Sequence, residues 1–217
     1  NMGIPLFDSI PQIREGLPIV CEFSCHQLEN IHRGPHIGLI LNLHQEHLDH
    51  YHSYEDYKMA KMQLFLRQQP GEDWCYFCGD DPDLSAMRRK VEAGGRNYRC
   101  YGMGDARAFD EERLSPSLRG DHLRLNLAGV LLAVSHEHLD AAAVAQVLKD
   151  FKGLEHRLQC VGTYRGITFY NDSIATIPAA TIAACKALRK VDTLILGGFD
   201  RGIDYSELTA FLEGAAI

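Results

Sequence analysis

Two rhythms alternate along the chain. Short apolar runs bounded by turn residues predict buried strands at 18–23, 37–43 and 73–78. Apolar residues at helical spacing predict helices over 54–67, 84–93, 121–134, 141–150 and 179–188, with another opening at 206. Ser53, with Glu55 and Asp56 behind it, is the expected N-cap of the first of these, and Gly94-Gly95 stops the second. Residues 3 to 10 read as a turn and short helix, and 98–101 and 106–109 as short β segments. After Gly153 the rhythm restarts. A hairpin is predicted from 160–163 to 167–170 through Arg165-Gly166, and a strand of parallel-sheet character at 192–196 ends in Gly197-Gly198. Strand and helix in this alternation predict an α/β fold, a mostly parallel sheet flanked by helices, built twice over. The expected domains are 1–153 and 154–217.

Composition narrows the class. The 217 residues are 46% hydrophobic and 24% charged, as in ordinary globular proteins, and the net charge of −7 offers no basic field for nucleic acid. No apolar run approaches the roughly 20 residues of a membrane span, and no signal peptide is visible. The seven cysteines are scattered and odd in number, which reads as reduced cytosolic thiols rather than a disulfide framework.

The chemistry-bearing stretch is the loop after the 37–43 strand, which holds His44, Glu46, His47, Asp49, His50 and His52. Open α/β sheets place ligands outside the carboxyl ends of their strands, where this loop falls. Imidazole and carboxylate together suit a metal, although the same loop also reads as a solvated surface. Glu22, at the end of the predicted 18–23 strand, is expected to rise at the same sheet edge as His47. A carboxylate and an imidazole there suit Mg²⁺ if a phosphate supplies further oxygens. Cys75 and Cys78 have the redox spacing but sit inside a predicted strand, away from any helix dipole, and are expected to be inert. Asn171-Asp172-Ser173 reads as a strand-to-helix loop or an N-cap. The glycine-rich segment from Gly197 to Gly202 follows a strand without forming G-x-G-x-x-G, and G-x-x-x-x-G-K-[ST] is absent.

Several separated stretches together resemble the Mur ligases of bacterial cell-wall synthesis, in family order. They are Glu22-Phe-Ser-Cys-His-Gln27-Leu-Glu29, Leu41-Asn-Leu-His-Gln-Glu-His47-Leu-Asp49, Ala60-Lys61, Gly120-Asp-His122-Leu-Arg-Leu-Asn126, Leu154-Glu-His156-Arg157, Asn171-Asp172-Ser173-Ile174-Ala175-Thr176 and Gly197-Gly198-Phe-Asp200-Arg201-Gly202. They look most like the members that add glutamate to UDP-N-acetylmuramoyl-L-alanine. The resemblance implies a central ATPase-type domain entered just after its phosphate loop, followed by part of a Rossmann-like C-terminal domain. Such a fragment is expected to be inactive alone.

It further implies an ATP-dependent, cytoplasmic, monomeric amide ligase working through an acyl phosphate with Mg²⁺. Glu22 and His47 look like ligands of two ions, and Lys61 resembles the lysine that the family carbamylates into a further ligand. Asn126, Arg157 and Asp172 resemble residues that hold adenine and ribose, with His122 supporting that pocket. Thr176 and Arg201 fall where the incoming amino acid's carboxylates bind. Asn1 falls in a segment resembling the family's Gly-Asn-x-Gly, at the substrate side. Ile174 stands where many D-glutamate members carry a lysine, which leaves L-glutamate open. Leu123 stands where Asn is common, and Arg201 where Lys is. A folylpolyglutamate synthase relative and a non-catalytic binding module are the alternative readings.

Overall fold

The computed structural model describes residues 6–199 and 202–217. Its centre is a three-stranded parallel sheet ordered β1 (Ile37–Ile40), β2 (Trp74–Cys78) and β3 (Asn97–Tyr101). The connections are α2 (Tyr54–Leu66) and α3 (Pro82–Ala93), and α1 (Cys25–Leu28) precedes the sheet. The middle strand, Trp-Cys-Tyr-Phe-Cys, has no alternation because both its faces are covered; Cys75 and Tyr76 are wholly buried. Gln68 closes the buried ends locally: its amide donates to the carbonyls of Pro35 and Trp74, and its oxygen accepts from the Cys75 thiol at 2.8 Å. The cap of α2 is as expected, the Ser53 hydroxyl accepting from the Asp56 N–H.

Beyond the sheet come α4 (Met103–Ala106), α5 (Asp121–Ala133), α6 (Ala141–Asp150), the antiparallel hairpin β4 (Gln159–Tyr164)–β5 (Ile167–Asn171), α7 (Pro178–Leu188) and α8 (Ser206–Gly214). The hairpin turns on Arg165 (φ 52°) and Gly166 (φ 81°), the paired positive dihedrals a two-residue turn needs to match strand twist. Two glycines set how closely α5 is approached. At Gly129 a Cβ would lie 2.4 Å from the Tyr101 ring, and at Gly120 (φ 105°) it would lie 2.7 Å from the Ala187 Cβ.

The described residues form two compact units. One comprises the residues up to Gly38 with His47–Cys75 and Arg88–Tyr98; the other comprises Leu39–Glu46, Tyr76–Met87 and everything from Arg99.

Three expected strands are not strands. Residues 18–23 form no ladder among the described residues, so Glu22 leads into α1 from an exposed stretch rather than from a sheet edge. Residues 192–196 are likewise unladdered, with Ile195 90% exposed. An apolar run becomes a strand only where a neighbouring backbone takes its N–H and C=O groups, which composition does not report. Residues 106–109 end α4 and turn, because the Asp105 carboxylate caps the Gly102 N–H and starts a helical turn there instead.

Candidate functional site

In the first unit two of the candidate residues, His47 and Lys61, meet at Tyr57, which is 3% exposed. The His47 ring lies 6.2 Å from it and the Lys61 amine sits 5.2 Å over it. Lys61 reaches that ring because it follows Tyr57 by one helical turn on α2. His47 reaches it through its backbone: φ is +57°, in the left-handed region that a non-glycine residue rarely occupies. The turn is held by the His47 carbonyl, which accepts from the N–H groups of both His50 and Tyr51 at 3.0 Å. A backbone kept in a costly conformation by its surroundings is typical of a side chain that must point one way.

Around this pair lies a shell of which sequence reading singled out only His50 as a candidate. The His26 ring stands edge-on to His47 at 5.1 Å and to His50 at 4.4 Å. Glu29 receives the Tyr51 hydroxyl at 2.5 Å and faces His50 Nε2 at 3.0 Å. The Tyr51 hydrogen bond and His50 hold the Glu29 carboxyl below the ordinary carboxylate value. Burial, with Cys25 and Glu29 beside it, pushes the Tyr51 phenol far up, so that it stays a donor. The available signal was the aromatic spacing of Tyr51, Tyr54 and Tyr57, which invites a stacked cluster.

Glu22 belongs to the same unit and is exposed; His44, Asp49, His50 and His52 are also exposed. Among the described residues no three His, Cys, Asp or Glu side chains are placed to hold a metal ion. The loop histidines therefore do not make a closed transition-metal cage. A carboxylate such as Glu22 and an imidazole such as His47 are donor types that a hard cation accepts alongside phosphate and water.

In the second unit α5 carries His122 and Asn126 one turn apart, on one face. His122 is held below the usual imidazole value, first by burial. Asp172 pulls the other way and Arg157 pushes further down, so both side chains lie within electrostatic reach of His122. Asp172 does not cap α7, whose N-cap is Ile177. Its carboxylate instead accepts from the Leu158 N–H at 2.7 Å and so fixes the loop that presents Arg157. That loop is strained on both sides of the arginine, with His156 at φ 62° and Leu158 at φ 44°. It is stitched to the 171–174 loop by Ile174 N–H to the His156 carbonyl and by Asn171 to the His156 ring. Thr176 is exposed, and its hydroxyl donates to Glu46 at 2.6 Å.

His122 also lines a cavity of about 470 Å³ with Glu111, Arg124, Lys186 and Arg189. The Arg124 Nε there is buried without an acceptor among the described residues. Asn1 and Arg201 lie outside the described residues. Cys75 and Cys78 are buried in β2, as expected of inert thiols, and burial pushes the Cys75 thiol up to about 12.

Comparison with known proteins follows the same outline. The Mur ligase middle domain matches residues 12–129. The chain is 35% identical to the UDP-N-acetylmuramoylalanine–D-glutamate ligase of Symbiobacterium thermophilum, over 96% of this chain and 50% of that protein. The ligase of the same name from Solibacter usitatus is also 35% identical, with the same coverage. The chain thus spans about half the length of the curated relatives it matches. Among solved structures, the MurF ligase from Thermotoga maritima in complex with ADP shares the fold at a TM-score of 0.56 and 20% identity, covering 72% of this chain and 39% of that one. MurF from Acinetobacter baumannii does so at 0.55 and 18%, covering 71% and 37%.

Proposed function

The chain belongs to the Mur ligase family, and on that premise we propose that it is the central part of an ATP-dependent ligase that adds glutamate to UDP-N-acetylmuramoyl-L-alanine. Residues 1–153 belong to the ATPase-type domain on this reading, and 154–217 begin the domain that receives the amino acid. The observation that carries it is the Asp172 carboxylate holding the Leu158 N–H beside Arg157, with both Asp172 and Arg157 in electrostatic reach of His122 and Asn126 one turn along the same helix. This set offers a neutral imidazole, an amide, a planar cation and a carboxylate, which suits a nucleoside: Asp172 accepts the ribose hydroxyls while Asn126 and Arg157 meet the base.

The chemistry is phosphoryl transfer followed by amide formation. The substrate carboxylate takes the γ-phosphoryl group, the amine attacks the acyl carbon, and phosphate leaves. Bound Mg²⁺ would neutralise the charge developing on the phosphate oxygens. Glu22 and His47 would hold it, with Lys61 joining them as a carbamate. As a bare ammonium, Lys61 would repel the ions; the modification turns it into an anionic oxygen ligand. Thr176 and Arg201 lie at the amino-acid end.

The test is ADP formation by the full-length protein, dependent on both UDP-N-acetylmuramoyl-L-alanine and glutamate. Asp172→Ala should raise the KM for ATP at least tenfold. ADP release that is indifferent to the muramoyl substrate, or absent with either glutamate isomer, would end the reading. D-glutamate is the leading acceptor because the ligases matched carry that name. Ile174, 51% exposed where a lysine is common, keeps the L-isomer as the second arm of the same assay.

A further inference from the structure

We propose that Asn171 is a positioning residue for the nucleotide: it fixes the proton of the His156 ring on Nε2 and so leaves that nitrogen as a hydrogen-bond donor beside Arg157. The inference rests on the ligase reading above, in which Arg157 and Asp172 hold the nucleotide, and adds two neighbours with roles of their own. Asn171 closes β5 and is half-buried. Its amide has two ends, and each meets one partner. Oδ1 accepts from the Ser173 N–H at 3.0 Å. A backbone N–H can only donate, so this bond fixes which end of the amide is oxygen. The other end, Nδ2, lies 2.9 Å from His156 Nδ1.

An amide nitrogen can only donate, so Nδ1 meets it with a lone pair. A neutral imidazole has one lone pair and one N–H, and the bond made by one nitrogen decides the state of the other. The proton therefore sits on Nε2, which no hydrogen bond reaches among the described residues. The backbone beneath the ring is held as well. The His156 N–H donates to Gln159 Oε1 at 3.0 Å, its carbonyl accepts from the Ile174 N–H at 3.2 Å, and its φ is 62°. Asn171 and Asp172 thus grip the residues on either side of Arg157. Positions 156 and 157, both exposed, present an uncharged N–H and then a planar cation. A nucleotide is rich in acceptors for such a pair: ribose oxygens, ring nitrogens and phosphate oxygens. With its proton on Nδ1 the same ring would meet those atoms with a lone pair, and the hydrogen bond would be lost.

The experiment separates the proton from the scaffold. Asn171→Asp keeps both contacts, but it accepts where the amide donated, so the neutral ring moves its proton to Nδ1. In full-length protein labelled with ¹⁵N-histidine at pH 8, the His156 signal is identified by its loss in His156→Phe. It should show a protonated Nε2 and a bare Nδ1 in wild type, and the reverse in Asn171→Asp. Titration calorimetry should find the Kd for ATP raised about tenfold by Asn171→Asp, as for one lost hydrogen bond. In a His156→Phe background the same substitution should change that Kd less than about twofold, because Asn171 acts through the ring. A bare Nε2 in wild type would overturn the proposal, and that spectrum decides even where Asn171→Asp does not fold. An unchanged Kd would also overturn it, as would an equal rise in both backgrounds, which would make the effect the new carboxylate's own charge. Wild-type protein that binds ATP but turns over neither glutamate isomer sinks the ligase reading alone; protein that binds no ATP sinks both.

Discussion

At the scale of single residues, backbone strain and burial mark the positions that matter. His47 holds a left-handed backbone, a conformation that costs on the order of 1 kcal/mol for an L residue. Replacing it with glycine removes that strain along with the imidazole. His47→Gly should therefore cost less than about 1 kcal/mol of stability in urea, while ligase turnover in the full-length protein falls at least a hundredfold. A large loss of stability would make His47 a packing residue.

His122 gives a pH prediction. Burial depresses its folded-state value below the ordinary 6.5, so the unfolded chain takes up a proton first as pH falls. Stability is fully present above about pH 6.5 and drains away as pH drops through the folded value. The urea midpoint should decline between pH 7 and 5, and His122→Gln should flatten the decline. Cys75 works from the other side. Its value is raised from 9.0 to about 12, so it favours the folded state below pH 9 and withdraws that stability as pH climbs toward 12. Alkylation at pH 8 followed by mass spectrometry should label the exposed Cys21, Cys100 and Cys160 quickly and spare Cys75 and Cys78 until the chain unfolds.

At the scale of elements, two junctions decide where the second group of candidate residues sits. The first is Gly120 at the start of α5. Its φ of 105° and the 2.7 Å approach to Ala187 exclude a side chain twice over. Gly120→Ala should cost about 2 kcal/mol or more, read as a shift in urea midpoint, because either α5 or α7 must move. The second is the carboxylate of Asp172, which ties the Leu158 N–H and so the strained turn at Arg157. Much of this was legible beforehand. Strong helical spacing placed α2, α3, α5, α6 and α7 to within a residue or two, and the Arg165-Gly166 turn placed the hairpin. The expected strands at 18–23 and 192–196 did not follow, since hydrophobicity marks what prefers burial and not which backbone lies beside it.

At the scale of the whole molecule, several large apolar side chains stand in the open: Val20 is 97% exposed, Ile195 90% and Phe199 87%. Contiguous patches of such side chains mark surfaces that associate, whereas single ones are ordinary. The sequence by itself determined the α/β alternation, the helix boundaries, the family and the residue types of the candidate site, because these depend on periodicity and on motifs that are local in the chain. Only the tertiary structure decided that His47 and Lys61 share the face of Tyr57, that His122 feels Arg157 and Asp172, and that the Thr176 proton belongs to Glu46. Such pairings join residues far apart along the chain, and a hydrogen bond or a buried charge takes its partner from distance and direction in space.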